Sequence, residues 1–190
     1  MKRNNLPIII ILIFICSFFS SKIQSSWGNV NVQELKIPTQ NGQWVVADLF
    51  KPYTATKKNP APLVIVIPGF QRSKETLSNI SIELSRRGIV VIAIDPYAQG
   101  GSSSSFQRRA ASKEGYGMFA IVDYVYNTTN LNYINKEKIG LTGHSAGGLA
   151  SIRGAQYFGK KAKKSNSISK IHSAYISGMI RMGFESKNLR

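Results

Sequence analysis

The alternation of apolar and polar residues along the chain predicts a series of short strands. The runs VNVQELKI and WVVADLF alternate between the two kinds of residue and are separated by the turn pair Asn41-Gly42, which predicts a β-hairpin. Three later runs, LVIVI at residues 63–67, IVVIAI at residues 89–94 and KIGLT at residues 138–142, are apolar almost throughout. Such runs are typical of strands that are buried on both faces of a parallel sheet.

Helical segments separate these strands. The segment RSKETLSNISIELSRRG has Ser73 as its expected N-cap and Gly88 as its stop signal. The segment GMFAIVDYVYN predicts a second helix, and a third is expected between Ser145 and about Lys164. A last strand-like run, SAYIS, ends at Ser177.

Strands that alternate with helices predict an α/β fold. We expect a mostly parallel sheet with helices on both faces, preceded by the N-terminal β-hairpin. In such sheets ligands bind beyond the carboxyl ends of the strands. Three predicted strands end in small or special residues, in the sequences Pro-Gly-Phe at 68–70, Asp-Pro-Tyr at 95–97 and Gly-His-Ser at 143–145. We therefore expect a functional site where these three ends meet.

Residues 1–26 have the composition of a targeting segment, and residues 27–190 form one domain. Lys2 and Arg3 precede a 13-residue apolar run, which is short for a membrane-spanning helix of roughly 20 residues. A signal peptide is the first interpretation and an uncleaved membrane anchor is the alternative. Both predict a protein that is secreted or held at the cell envelope, with membrane contact only through an uncleaved N-terminal segment.

The net charge of +16 is large for a chain of this length, and nine of the basic residues follow Ser145. A solvated basic surface is the first interpretation of this charge, and attraction to an anionic surface is the alternative. No motif for specific nucleic-acid binding accompanies the charge. Cys16 is the only cysteine, so a domain from residue 27 onward has no disulfide, thiol chemistry or cysteine-bound metal.

The sequence IGLTGHSAGG places Ser145 in a G-x-S-x-G string between a predicted strand and a predicted helix. That context indicates a sharp, strained turn that exposes a serine nucleophile at a helix N-terminus, where N–H groups and the helix dipole favour negative charge. We predict that the Ala146 N–H stabilises the oxyanion that forms when Ser145 attacks. The Phe70 N–H, next to the flexible Gly69, is the candidate second donor.

Residues 30–178 resemble the α/β-hydrolase fold on these motifs. The segment LVIVIPGFQRSKETLSNISIELSRRGIVVIAIDPYAQGG, together with the serine turn, is most similar to the cutinase-type esterases and the dienelactone-hydrolase group. The matching residues are Phe70, Asp95, Ser145 and Ala146. The resemblance implies a serine hydrolase that cleaves a carboxylic ester or related acyl bond through an acyl-enzyme on Ser145, without a cofactor or metal. Its substrate would be a small-molecule or polymeric ester. Tyr97 would line the pocket, and Asp95 would either stabilise a turn or line the pocket.

The base and acid that such a serine needs are not found. In this fold the chain order is serine, acid, histidine, but no acidic residue lies between Ser145 and His172, and Glu185 follows that histidine. His144 is adjacent to Ser145 and is expected to point away from it, and His172 is expected at the opposite edge of the sheet. We therefore expect an incomplete domain that lacks its last strands. The alternative is an exported, non-catalytic hydrolase-fold protein that binds an anionic envelope or polymer through its basic surface.

Overall fold

The computed structural model describes residues 5–39, 42–104 and 114–178, and six strands and four helices lie within them. The strands are β1 (Val30–Pro38), β2 (Trp44–Pro52), β3 (Ala61–Ile67), β4 (Val90–Ile94), β5 (Ile134–His144) and β6 (Ser173–Ser177). The helices are α1 (Leu6–Gln24), α2 (Ser78–Arg86), α3 (Met118–Asn127) and α4 (Ala146–Lys164). Short 3₁₀ turns occur at Ser26–Gly28, Lys74–Leu77 and Gly115–Gly117.

The six strands form one sheet in the order β1-β2-β4-β3-β5-β6. The hairpin strands β1 and β2 are antiparallel, and β2 is also antiparallel to β4. Strands β4, β3, β5 and β6 are parallel to one another. The predicted hairpin followed by a parallel α/β sheet is therefore confirmed.

Helices cover both faces of the sheet, as the apolar runs predict. Helix α2 packs over one face, where its residues Ile82 and Leu84 contact a cluster that includes Val66 and Val91. Helices α3 and α4 pack over the other face in the larger core cluster. Side chains alternate between the two faces of a strand, so β3 and β4 need apolar residues at almost every position to be buried on both.

The start of the first predicted helix, which corresponds to α2, differs from the prediction in one detail. Ser73 precedes a 3₁₀ turn at Lys74–Leu77, and the α-helix begins only at Ser78. Ser73 makes no side-chain capping bond to the helix backbone, and its hydroxyl instead bonds the carboxylate of Glu75. Asn41 of the predicted hairpin turn lies outside the described residues, whereas Gly42 has the positive φ of 73° that such a turn requires.

Helix α1 is a 19-residue apolar helix, longer than the 13-residue apolar run it contains. Its segment Leu6–Ile23 is long and apolar enough to cross a membrane, and none of it is buried against the rest of the protein. A helix of this kind near an N-terminus is compatible with a signal sequence or an anchor.

Candidate active site

Ser145 occupies a sharp turn between the end of β5 at His144 and the start of α4 at Ala146. Its φ of 53° and ψ of −115° lie in a region that residues with a side chain rarely adopt. Hydrogen bonds hold this conformation: the Ser145 N–H donates to the Ser177 carbonyl at 3.0 Å, and the Ser145 carbonyl accepts the Leu149 N–H at 3.1 Å. The strand, strained serine and helix of the predicted turn are therefore present.

Glycines let the end of β3 approach this turn closely. A Cβ on Gly147 would collide with the carbonyl oxygens of Ile67 and Pro68, and a Cβ on Gly143 would collide with the backbone of Gly147. A Cβ on Gly69 would lie 3.5 Å from the Cβ of Ser145. The segment after β3 and the serine turn are thus packed backbone to backbone, which only small residues permit.

The two N–H groups predicted to bind an oxyanion, those of Phe70 and Ala146, belong to residues that line one cavity. Ala146 is the first residue of α4, and Phe70 follows the close approach at Gly69. Neither N–H group donates to an acceptor within the part of the chain that the structure describes. Both donors therefore remain available beside the serine turn.

The cavity has a volume of about 710 Å³ and is formed by the segments after β3 and β4, with Tyr116 and Ala146. Three aromatic residues and two prolines are among its lining residues, and Arg72 is the single charged residue among the described lining residues. Tyr97 lines the cavity, as predicted, and is fixed because its hydroxyl donates to Thr39 Oγ1 at 2.7 Å. Burial raises the pKa of Tyr97, so this phenol stays neutral at physiological pH.

Asp95 is not among the residues that line the cavity, so the structure corrects its predicted pocket-lining role and agrees with the alternative role in stabilising a turn. Its side chain is buried beneath the cavity, where its carboxylate accepts the Lys74 N–H at 2.7 Å and the Gly101 N–H at 2.9 Å. Gly100 has a φ of 52°, and a Cβ there would collide with this carboxylate. Asp95 therefore joins the segment that follows β3 to the glycine-rich segment that follows β4.

An acidic cluster, which the sequence did not predict, surrounds the Lys74 ammonium below the cavity. Lys74 Nζ lies 2.9 Å from Glu75, 3.7 Å from Asp48, 3.7 Å from Glu34 and 3.9 Å from Asp95. The Lys74 side chain is only 10% exposed. The pairing of β1 with β2 in the predicted hairpin could have indicated part of this cluster, because it places Glu34 opposite Asp48.

The charges of this cluster shift the pKa values of its members in different directions. Hydrogen bonds from Ser73 and then from Lys74 lower the pKa of Glu75 to about 2. Burial raises the pKa of Asp48, and the nearby positive charge of Lys74 only partly offsets that effect. Burial lowers the pKa of Lys74, but its hydrogen bond to Glu75 and the charges of Asp48 and Asp95 outweigh it, so the net shift is upward. Lys74 is therefore held firmly in its charged form.

The structure brings neither histidine to Ser145 as a hydrogen-bond partner within the described residues. His144 is exposed, and its ring lies between Gly69 and Gly178. His172 lies at the beginning of β6, at the opposite end of the sheet, where its Nδ1 accepts the Ile139 N–H at 3.3 Å. The position of His172 agrees with its prediction, the orientation of His144 relative to Ser145 stays a prediction, and Glu185 lies outside the described residues.

The described residues do not bring together side chains that could bind a metal ion. Across residues 5–39, 42–104 and 114–178, no group of three or more histidine, cysteine, aspartate or glutamate side chains could hold a metal ion. The site is therefore made of a strained serine, two backbone donors and a mostly uncharged cavity.

A family model described as the prolyl oligopeptidase family matches residues 76–156, from just before α2 to the middle of α4, and this segment includes Ser145. No curated protein matches the sequence.

Solved structures resemble the fold over most of this chain. The α/β hydrolase GrgF from Penicillium sp. sh18 has a TM-score of 0.61 and 19% identity, over 78% of this chain and 46% of that protein. The Pyrococcus furiosus esterase Pf2001 has a TM-score of 0.62 and 18% identity, over 84% and 52% of the two chains. Est1E from Butyrivibrio proteoclasticus, solved with ferulic acid bound, has a TM-score of 0.55 and 25% identity, over 70% and 49%. This chain thus spans about half the length of the solved proteins it matches.

Proposed function

Starting from the α/β-hydrolase fold of this chain, we propose that it is a serine hydrolase in which Ser145 attacks a carboxylic ester or a related acyl bond. The observation that carries the proposal is the backbone of Ser145, whose φ of 53° is held between a parallel strand and a helix beside the cavity. Strained residues of this kind persist where the surrounding structure enforces them, and they cluster at functional sites.

The backbone around Ser145 supports stabilisation of the negative charge that the attack creates. When Oγ forms a bond to the acyl carbon, the carbonyl oxygen becomes an oxyanion. The N–H groups of Phe70 and Ala146 would donate to it, and the N-terminus of α4 adds a favourable dipole. The leaving alcohol takes up a proton, the acyl group stays on Ser145, and water then releases the acid.

A base that accepts the Ser145 proton is the one part of this mechanism that the described residues do not supply. The chain has only two histidines, and His172 lies at the far end of the sheet while His144 shares no hydrogen bond with Ser145. A histidine base would have to come from outside this sequence. Its absence predicts weak reactivity of the chain alone, which an added base such as imidazole should increase.

The cavity favours esters of aromatic acids as the first substrates to test. Tyr97, Tyr116 and Phe70 provide aromatic walls, and Arg72 is positioned to favour a substrate with a negative group. Est1E, which shares the fold, binds ferulic acid in its structure. Both a small-molecule ester and an ester side group on a polymer could present such an acyl group.

We also propose that the protein is exported. The apolar, unburied helix α1 supports either a signal peptide, which would release a secreted domain, or an anchor that holds it at the cell envelope.

The test is acylation of Ser145 by the 4-nitrophenyl ester of ferulic acid, measured as nitrophenol release and as the mass of the intact protein. We expect one feruloyl group per chain and faster acylation with imidazole. Ser145→Ala should abolish the adduct, and Ser167→Ala, which removes an exposed serine elsewhere, should not. Acylation that persists in Ser145→Ala would overturn the assignment.

The second candidate function is a non-catalytic member of the fold, which the missing base favours. In that case no adduct forms at Ser145 with or without imidazole, and the large positive charge would be the functional feature.

A further inference from the structure

The parallel strands give the sheet two distinct ends. Strands β3, β4, β5 and β6 all begin at one end, here called the amino end, and run towards Ser145 at the other, the carboxyl end. The connections that lead into these strands therefore lie at the amino end. Helix α4 starts beside the carboxyl end and must return to the beginning of β6, so its last turns lie at the amino end as well.

Exposed basic residues concentrate at this amino end. The last turns of α4 contain Lys160, Lys161, Lys163 and Lys164. Three more exposed cations, Lys57, Lys58 and Arg87, lie in the connections into β3 and β4, and Lys138 lies in the first half of β5. These eight residues are called the basic pole below.

The cations of the basic pole are not neutralised by the protein itself. None of the eight forms an ion pair with an acidic side chain within the described residues. Four of the nine acidic residues instead surround Lys74 near the carboxyl end. A helix C-terminus favours cations in its last turn, which explains lysines at the end of α4 but not the residues on the neighbouring connections.

Helix α1 leaves the protein from the same end. Its last turn is attached to α2, because Arg86 Nη2 donates to the Ile23 carbonyl at 2.7 Å. Strand β1 then starts at Val30, which pairs with Pro52 at the end of β2. That end of β2 lies beside the beginning of β4, at the amino end of the sheet. The unburied apolar helix and the basic pole are therefore on the same side of the molecule.

We propose that the basic pole binds the anionic headgroups of a lipid membrane, with α1 in the bilayer. A juxtamembrane cluster of lysine and arginine is attracted to anionic lipid by about fivefold in affinity for each residue near the surface. Insertion of α1 would attach the protein to a bilayer, and the basic surface on the same side would add attraction to anionic headgroups and bring the domain against them. Nucleic acid would also attract the basic pole, but it offers nothing for α1 to contact.

This attachment fixes the orientation of the cavity. Strand β5 has an irregular register in its first half, so the height of the sheet is given by its partner β3, which has seven residues from Ala61 to Ile67. At about 3.3 Å per residue this is roughly 20 Å between the amino end and the serine turn. Ser145 would thus face away from the membrane. If the proposed hydrolase function is correct, its substrates are esters in solution or on a polymer, and not the lipids of the membrane that holds it.

The first test measures flotation of the full chain with neutral phosphatidylcholine vesicles and with vesicles that also contain phosphatidylglycerol. We expect the anionic vesicles to bind at a much lower lipid concentration, and high salt to remove that advantage because it screens exposed charges. Lys163→Gln/Lys164→Gln should reduce the advantage by roughly tenfold or more. The matched control Lys36→Gln/Arg72→Gln removes the same charge near the carboxyl end and should leave it nearly unchanged.

Three outcomes would overturn the proposal. They are equal binding to both kinds of vesicle, an equal effect of the two double variants, and displacement of the protein from anionic vesicles by an equimolar single-stranded oligonucleotide. None of these outcomes depends on the reactivity of Ser145, so they are distinguishable from failure of the hydrolase proposal.

A second test measures the orientation. In a Cys16→Ser background, a fluorophore is attached through Ser165→Cys at the amino end or through Arg72→Cys beside the cavity. A quencher on the lipid headgroups should quench the fluorophore at position 165 strongly and the one at position 72 weakly. The reverse pattern would place the cavity on the membrane and contradict the proposed orientation.

Discussion

The two ends of the sheet differ in how their charges are neutralised. Around the cavity at the carboxyl end, Gln71, Ala98, Tyr116 and Ser145 all have positive φ values between 53° and 62°. The same end holds an acidic cluster around one nearly buried lysine. The amino end has exposed lysines and arginines without acidic partners. Ion pairs around a nearly buried lysine thus lie near the proposed catalytic site, and unneutralised charge lies where a partner could supply the counter-charge.

This difference indicates a division of roles within a single fold. A strained backbone is stable only if close packing and hydrogen bonds enforce it, so the carboxyl end should tolerate few substitutions. Exposed cations cost little in stability and can change with little effect on folding. The predictions below test this contrast.

The largest expected effect is that of Gly147→Ala. Its Cβ would collide with the carbonyl oxygens of Ile67 and Pro68, so the serine turn and β3 must move apart, at a cost of about 3 kcal/mol or more of unfolding free energy. Gly159→Ala is the matched control in the same helix, because no atom lies within 4 Å of its added Cβ. It should stabilise the protein by up to about 1 kcal/mol. Urea denaturation measures both, and similar values for the two variants would contradict the described packing.

Lys74→Met should have an intermediate effect. The substitution leaves four carboxylates without the ammonium group that they surround. It should lower the free energy of unfolding by about 2 kcal/mol, because removal of one partner from a buried ion pair leaves a charge without compensation. Lys170→Met is the control, because it removes a more exposed pair with Asp123 and should cost less than about 1 kcal/mol.

Hydrogen exchange adds a local measurement to the same pair of variants. Lys74→Met should accelerate exchange of the amides in residues 70–74, which Asp95 and Lys74 hold in place, and Lys170→Met should not. Lys74→Arg should restore slow exchange. Equal exchange in all three variants would show that Lys74 does not position this segment.

The smallest expected effect is on the pH dependence of stability and comes from Asp48. Burial raises its pKa in the folded protein, so the charged form is disfavoured on folding and the cost is present at neutral pH. Asp48→Asn should therefore be more stable than the wild type at pH 7, by less than about 1 kcal/mol. The difference should shrink as the pH falls through the pKa of Asp48 and both forms become neutral.

Glu75 provides the opposite pH dependence. Its pKa is lowered from 4.5 to about 2, so its contribution to stability is present above pH 4.5 and is lost only as the pH falls towards 2. Thermal unfolding of wild type, Asp48→Asn and Glu75→Gln between pH 7 and pH 2 separates the two effects. An advantage of Asp48→Asn that grows as the pH falls would contradict the account.

The strands, the helices and the serine turn could be predicted from sequence because their signals are local. Apolar runs define β3, β4 and β5, and the glycines at 143 and 147 flank Ser145 where the strand pattern changes to a helical one. The boundary of α2 was misplaced by one 3₁₀ turn, because Ser73 bonds the Glu75 side chain instead of capping a helix.

The arrangement of charge could not be predicted in the same way. Glu34, Asp48, Lys74 and Asp95 lie far apart in the chain and meet only through the strand order β1-β2-β4. The sequence leaves Asp95 either in the cavity wall or in a turn, because its position depends on the conformation of Gly100 and Gly101. The basic pole likewise forms only when the connections into β3 and β4, the first half of β5 and the end of α4 are brought to one side.

The central claim is that Ser145 is a nucleophile, and labelling with a fluorophosphonate tests it most directly. The account predicts that wild-type protein is labelled once, at Ser145, in a reaction that saturates with reagent and accelerates with imidazole, while Ser145→Ala is not labelled. No labelling of folded wild-type protein even with imidazole, or labelling that is unchanged in Ser145→Ala, would contradict it.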